Sequence, residues 1–222
     1  MLTVHHLNDS RSQRILWLLE ELGVPYEVRH YTRNPLTLRA PAELKAIHPL
    51  GRSPVVSDDS VVVAETGAIV EYLLERYGHG RLRPAAGTDE ARRFTYWLHF
   101  AEGSQMPPLL MRLVFDRLAA AKMPFFARPI VRGACRKVRD TFIDPQIQAH
   151  LDFLEAELGR STWFAGAEFS AADVQMSFPI EVSAKRAGLG DGRPRLADFL
   201  RRIHARPGYQ RALERGGAYA YA

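Results

Sequence analysis

Along the first 80 residues the hydrophobic spacing switches repeatedly between the two-residue period of a strand and the 3.6-residue period of a helix. Residues 2–7 (LTVHHL) read as a short strand. After Ser10, the residues Ile15, Leu18, Leu19 and Leu22 recur at i, i+3, i+4 and i+7, which predicts a helix, and Gly23-Val24-Pro25 stops it. Residues 26–31 (YEVRHY) alternate as a second strand, and a polar, Pro-containing stretch leads to a weak helix over 41–47. Pro54-Val55-Val56 and Val61-Val62-Val63 flank Ser57-Asp58-Asp59-Ser60, which predicts a hairpin. From Glu65 to Tyr77 the apolar residues Ile69, Val70, Leu73, Leu74 and Tyr77 return to helical spacing.

The resulting order, β-α-β-α-β-β-α, ends in a hairpin and must mix parallel with antiparallel pairing, unlike a doubly wound sheet. It predicts a thioredoxin-like domain over residues 1–80, a connector over 81–88, and a second domain over 89–222. That second part shows no strand pattern. Its helical segments are punctuated by Pro107-Pro108, Pro124, Pro129, Pro145, Pro179, Pro194 and Pro207, and Ile147, Leu151, Leu154 and Leu158 form its clearest stripe. The fold class is therefore α/β followed by all-α.

Composition narrows the chemistry. The chain has 222 residues, 46% of them apolar, enough for a real core. A single cysteine, Cys135, allows no internal disulfide, and no Cys/His spacing suits a structural zinc, so a reducing, cytoplasmic setting without metal is expected. The N-terminus lacks the pattern of a secretory signal, and no apolar run approaches the ~18 residues of a membrane span, so no membrane partner is expected. The formal charge is +5, carried by 26 Arg and only 4 Lys. Arg128, Arg132, Arg136, Lys137 and Arg139 put several charges on one helical face. Nucleic-acid binding would need exposed aromatics among them or a known motif, and neither is evident. No phosphate loop, zinc-protease or hydrolase motif occurs, and the glycines of the run 188–192 do not follow a strand as a dinucleotide loop must.

Candidate chemistry lies at two junctions. Ser10-Arg11-Ser12-Gln13 has the spacing of a capping box, and a hydroxyl at a helix N-terminus is equally a site for an anion or thiolate. Glu65-Thr66 opens the third helix, where it either caps that helix or receives an amine and a carboxylate. For Ser53-Pro54, local statistics favour a trans bond.

Five segments, SRSQRILWLLEELGVPYEV, NPLTLRAPAELKAIHPLGRSPVV, AETGAIVEYLLERYG, EGSQMPPLL and FSAADVQMSFP, occur in the order seen in cytosolic glutathione S-transferases, and together they resemble that family over nearly the whole chain. The resemblance implies a serine-type enzyme that conjugates the glutathione thiolate to small hydrophobic electrophiles in detoxification, with glutathione-dependent peroxidase activity as a further possibility. It matches Ser10 to the hydroxyl that donates to the glutathione sulfur, with Ser12 and Asn8 as rivals. Ser53-Pro54 matches the cis-proline step whose backbone meets the cysteinyl part, Arg52 a position near the glycine carboxylate, and Glu65-Thr66 the pair that holds the γ-glutamyl end. Ser170 and Asp173 match a structural capping box. The electrophile is expected near Tyr96, Trp97, Phe100, Met106, Leu110, Met111 and Phe115, although each alone also reads as helix-packing core. A homodimer is implied, with Glu102 and Ser104 reaching the neighbour's glutathione. The alternative is a non-catalytic or regulatory binding protein that keeps the transferase fold.

Overall fold

The computed structural model describes residues 1–34, 37, 39–189 and 192–222; Pro35, Leu36 and Leu38 of the polar stretch and Gly190 and Asp191 of the glycine run lie outside the described residues. Four strands, β1 (Leu2–Leu7), β2 (Glu27–Tyr31), β3 (Val55–Asp58) and β4 (Val61–Ala64), form one sheet in the order β2-β1-β3-β4. β1 runs parallel to β2, with Val4 opposite Val28, and antiparallel to β3, with Val4 opposite Val56. β3 and β4 pair as the expected hairpin. The mixed sheet follows from the connections, because a helix crosses between β1 and β2 while only Asp59 and Ser60 separate β3 from β4.

Helix α1 (Ser12–Leu22) buries the four predicted residues Ile15, Leu18, Leu19 and Leu22, and also Leu16 and Trp17. The pattern predicted one apolar stripe. A second side is covered because the helix near the C-terminus, described below as α10, packs along α1. Gly23 ends α1 at φ 63°, a left-handed conformation that lets its N–H reach Glu20 and Leu19 carbonyls at little steric cost. Helices α2 (Glu43–Ile47) and α3 (Thr66–Tyr77) complete the sheet-bearing part.

The helical part comprises α4 (Asp89–Phe100), α5 (Met106–Ala120), α6 (Arg128–Val138), α7 (Asp144–Glu157), α8 (Ala171–Arg186), α9 (Pro194–His204) and α10 (Pro207–Gly216). Single π-helical turns, Ala101–Gln105 and Arg139–Ile143, join α4 to α5 and α6 to α7. Pro107-Pro108 and Pro145 stand directly after them in a continuous helical path, so each removes a backbone N–H donor next to the widened turn. Pro179 does not punctuate: it lies inside α8, a helix buried nearly all round at the centre of the core. Ser170 caps α8 through Ala172 N–H, and Asp173 returns to Ser170 N–H at 2.9 Å, so this capping box forms as the pattern predicts.

Candidate functional site

The turn between β1 and α1 is tied by hydroxyls. Ser12 Oγ accepts Leu7 N–H at 3.2 Å and lies 2.9 Å from His6 Nδ1 and 3.3 Å from Leu7 O. Ser10 Oγ accepts Ser12 N–H at 3.2 Å and lies 2.7 Å from Ser12 Oγ. Ser12 thus holds strand to helix, and its own proton has two acceptors of its own, Leu7 O and His6 Nδ1. The Ser10 proton is left for Ser12 Oγ or for a ligand. Asn8 is also occupied, with Oδ1 accepting Arg33 N–H at 2.9 Å. The predicted capping box does not form here. Arg11 takes the cap position with no side-chain bond, and both polar atoms of the Gln13 side chain lack a partner because that side chain is pressed against Gly216 of α10.

Burial and the nearby His30 push His6 down to about 4, so it is neutral at physiological pH. The Ser10–Ser12–His6 chain therefore adds no charge at the mouth of α1. The adjacent Arg11 does.

A cleft of about 280 Å³ opens beside this turn, lined by Arg11, Arg52, Ser53, Pro54, Glu65, Thr66 and Glu102 among others. Arg52, Ser53, Pro54, Glu65 and Thr66, read separately along the sequence, are brought together here; Ser10 is buried behind the wall rather than lining it. The Ser53-Pro54 bond is cis, which corrects the trans expectation from local statistics and agrees with the matched step. Ser53 Oγ donates to His5 O at 2.9 Å, turning the side chain toward β1. Glu65 sits at φ 70° at the cap of α3 and makes no capping bond, so the capping reading of its carboxylate fails; it stands exposed on the cleft. Thr66 is buried, and its hydroxyl accepts from Arg14 Nη2 at 3.3 Å.

Arg14 and Glu102 are the residues that spacing did not single out for this site. Arg14 is fully buried, donating to Gln175 O at 2.6 Å and to Glu102 Oε1 at 2.5 Å. Arg11 Nε lies 2.9 Å from Glu102 Oε2. Burial works against the Glu102 charge, but Arg14 and Arg11 outweigh it and hold the carboxyl below its usual range. Glu102 was placed by resemblance toward a neighbouring subunit, and it lies in the wall of this chain's own cleft; Ser104 is half-buried on the same π turn. An Arg four residues after a turn serine and an acid in a helix interruption are visible in sequence only as letters. Their pairing spans 88 residues.

A second cavity of about 450 Å³ shares Glu65, Thr66 and Glu102 and is walled by Leu98, His99, Gly103 and Gln175. Of the residues expected around the electrophile, Trp97, Phe100 and Met106 are buried in the core and line neither cavity, which corrects that expectation. Trp97 packs on Phe164 and Phe153, because the residues one and two positions on, Leu98 and His99, occupy the cavity side of α4. Leu110 is 53% exposed, Tyr96 exposed, and Met111 and Phe115 are half-buried on α5. A groove of about 700 Å³ along the connector and α4, near Arg83 and Arg92, gathers none of these groups. Among the described residues no cluster of His, Cys, Asp or Glu could hold a metal, and no helix is long and apolar enough to cross a membrane.

Comparison with known proteins agrees with this fold. Residues 1–75 match the family model "Glutathione S-transferase, N-terminal domain" and residues 142–207 match "Glutathione S-transferase, C-terminal domain". The chain is similar to Glutathione S-transferase 3 of Schizosaccharomyces pombe, 39% identical over 81% of this chain and 73% of that one. It is similar to Glutathione S-transferase 1 of Saccharomyces cerevisiae, 30% identical over 98% and 96% of the two chains. Among solved structures, a glutathione S-transferase from Actinobacillus pleuropneumoniae superposes with a TM-score of 0.79 at 32% identity, covering 100% of this chain and 95% of that one. A thioredoxin-like sheet, a helical second part and matches over both halves together establish that this chain belongs to the glutathione S-transferase family.

Proposed function

We propose that the chain conjugates the thiolate of glutathione to small hydrophobic electrophiles, with the tripeptide lying in the 280 Å³ cleft. The observation that carries this is the gathering of Ser53-Pro54, Glu65 and Thr66 around one cleft at the N-terminal end of α1. The exposed Glu65 carboxylate receives the γ-glutamyl amine, and the Thr66 hydroxyl with the start of α3 receives its carboxylate. The Ser53 backbone pairs with the cysteinyl unit, and Arg52 faces the glycine carboxylate. The sulfur then points to the mouth of α1, where binding requires the buried Ser10 hydroxyl to turn its proton from Ser12 Oγ to the sulfur while still accepting from Ser12 N–H.

Magnitudes divide the labour. A thiol near pKa ~8.5 is about 3% ionised at pH 7, and lowering it by about 2 units needs about 2.7 kcal/mol, within reach of a charge-assisted hydrogen bond plus a helix terminus. The roughly 25-fold gain in thiolate is offset by lost nucleophilicity, leaving about threefold. Most of the rate must come from holding the electrophile against the sulfur. Leu110 and Val114, one turn apart and exposed on α5, are the apolar surface assigned to the electrophile, and Leu110 is the member of the expected electrophile group retained here.

The same thiolate supports peroxidase chemistry, and a cytoplasmic homodimer active in detoxification completes the reading. The alternative of a non-catalytic binding protein rested on the basic series of α6. Arg128 donates to Met123 O, Arg132 to Ala119 O, and Arg139 pairs with Asp116, so three of its five members stabilise the chain's own helices. The decisive measurement is retention on immobilised glutathione and conjugation of a chloronitroaromatic. Ser10→Ala should lower turnover about threefold to tenfold near pH 6.5, with the gap closing by about pH 7.5 as the variant's thiol ionises. No retention and no turnover by the native chain would end this reading.

A further inference from the structure

Helices α5 and α6 form a hairpin whose turn carries Phe125 and Phe126, 82% and 66% exposed, with their rings 5.7 Å apart, and Ile130 one turn into α6 is 73% exposed. A soluble chain rarely leaves adjacent aromatic side chains this open without a partner. From Arg117 to Arg139 the sequence holds seven cations and no Asp or Glu. Arg117, Lys122, Arg128, Arg132, Arg136 and Lys137 are all exposed. Arg128 donates through Nε to Met123 O in the turn and Arg132 through Nε to Ala119 O at the end of α5, which keeps both guanidinium groups beside the turn.

We propose that the tip of the α5–α6 hairpin docks on an anionic lipid surface, with Phe125, Phe126 and Ile130 entering the headgroup layer and the surrounding cations meeting lipid phosphates and carboxylates. The tip combines the two ingredients of interfacial binding, an apolar leading edge and a polybasic flank. A second copy of the chain fits less well, since a two-fold contact through this tip would set like charges against one another. A nucleic acid offers bases for the two rings to stack on, but Ile130, the neighbouring Pro124 and Met123 have no π face to use there and gain by entering an acyl layer. The docking proposed is peripheral, since no helix among the described residues is long and apolar enough to cross a membrane. The inference is independent of the reading of the cleft.

The test is sedimentation of the full chain with phosphatidylcholine vesicles, and with vesicles in which a third of the lipid is phosphatidylserine. Binding should favour the anionic vesicles, weaken with added salt, and fall at least about tenfold in Phe125→Ser/Phe126→Ser. Arg136→Gln/Lys137→Gln should weaken it by about fivefold per charge. The far-ultraviolet circular dichroism and the urea unfolding midpoint should be unchanged in both variants, which verifies folding; should the Phe variant fail to fold, the charge variant decides alone. Absence of binding to anionic vesicles at low salt overturns the proposal, as does binding that both variants leave intact. A change of oligomeric state in the Phe variant by light scattering, without vesicle binding by the native chain, would assign the tip to self-association instead. Oligonucleotide binding lost in the same variants, again without vesicle binding, would assign it to nucleic acid.

Discussion

Glu102 keeps its charge in a place where burial opposes it, because Arg14 and Arg11 hold its two oxygens separately, at 2.5 Å and 2.9 Å. The arrangement links the cleft wall to the core, since Arg14 also donates to Thr66 and to Gln175 O. Removing the acid strands a buried guanidinium, so Glu102→Ala should lower stability by about 3 kcal/mol in urea unfolding, and a native midpoint would contradict the coupling. His6 makes a second residue-scale prediction. Its folded-state pKa of about 4 lies below the ordinary 6.5, so between those values the unfolded chain binds more protons and stability rises with pH. Acidification through that window should cost on the order of 3 kcal/mol, a dependence that His6→Asn removes. Burial raises Asp173 to about 6, and it acts with opposite sign between about 4 and 6. The difference in pH slope between native chain and variant, by urea unfolding, isolates the histidine.

At the scale of elements, two nearly identical capping patterns have opposite outcomes. Ser170-x-x-Asp173 forms its box at the head of α8, where Asp173 also accepts Phe164 N–H at 2.9 Å. Ser10-x-x-Gln13 does not, because contact with α10 takes Gln13 away and Ser10 bonds to Ser12 instead. Ser170→Ala should therefore cost about 1 to 2 kcal/mol, measured by thermal or urea unfolding. Ser10→Ala should cost less, because no helix cap is lost, and an equal loss would restore the capping role to Ser10. The period of the apolar residues placed β1, α1, β2, the hairpin and α3 close to their observed limits. It missed the two π turns, because an extra residue in a helical turn shifts the apolar face without leaving a distinctive residue type. The prolines after both turns were the only sign.

The whole molecule is closed by its C-terminal end. Arg206 grips Glu21 with two bonds at 2.7 and 2.8 Å, and Arg211 reaches Glu20 at 2.7 Å, joining α10 to α1 across about 190 residues. The buried Glu181 accepts the hydroxyls of Tyr209 at 2.7 Å and Tyr219 at 2.6 Å, and Ala220 N–H reaches Asp9 at 2.9 Å beside the Ser10 turn. Ending the chain after Gly216 should cost about 1 to 3 kcal/mol of stability through the lost bonds to Glu181 and Asp9. It should also raise KM for glutathione more than it lowers kcat, because the loosened turn carries the ligand-facing end of α1; unchanged KM would separate the tail from the site.

Local pattern was sufficient for the kind and order of most elements, for the mixed sheet and for the capping box of α8, because periodicity and turn chemistry act over a few residues. Resemblance, not spacing, attached Arg52, Ser53, Pro54, Glu65 and Thr66 to glutathione. Folding in three dimensions selected among the readings left open. It made Ser53-Pro54 cis, released Glu65 from capping, turned Trp97, Phe100 and Met106 into core, and gave α1 a second buried side. It also brought Arg14 to Glu102 and α10 to Gln13. These outcomes depend on which distant surface comes to rest against a segment, and no window of neighbouring residues contains that information.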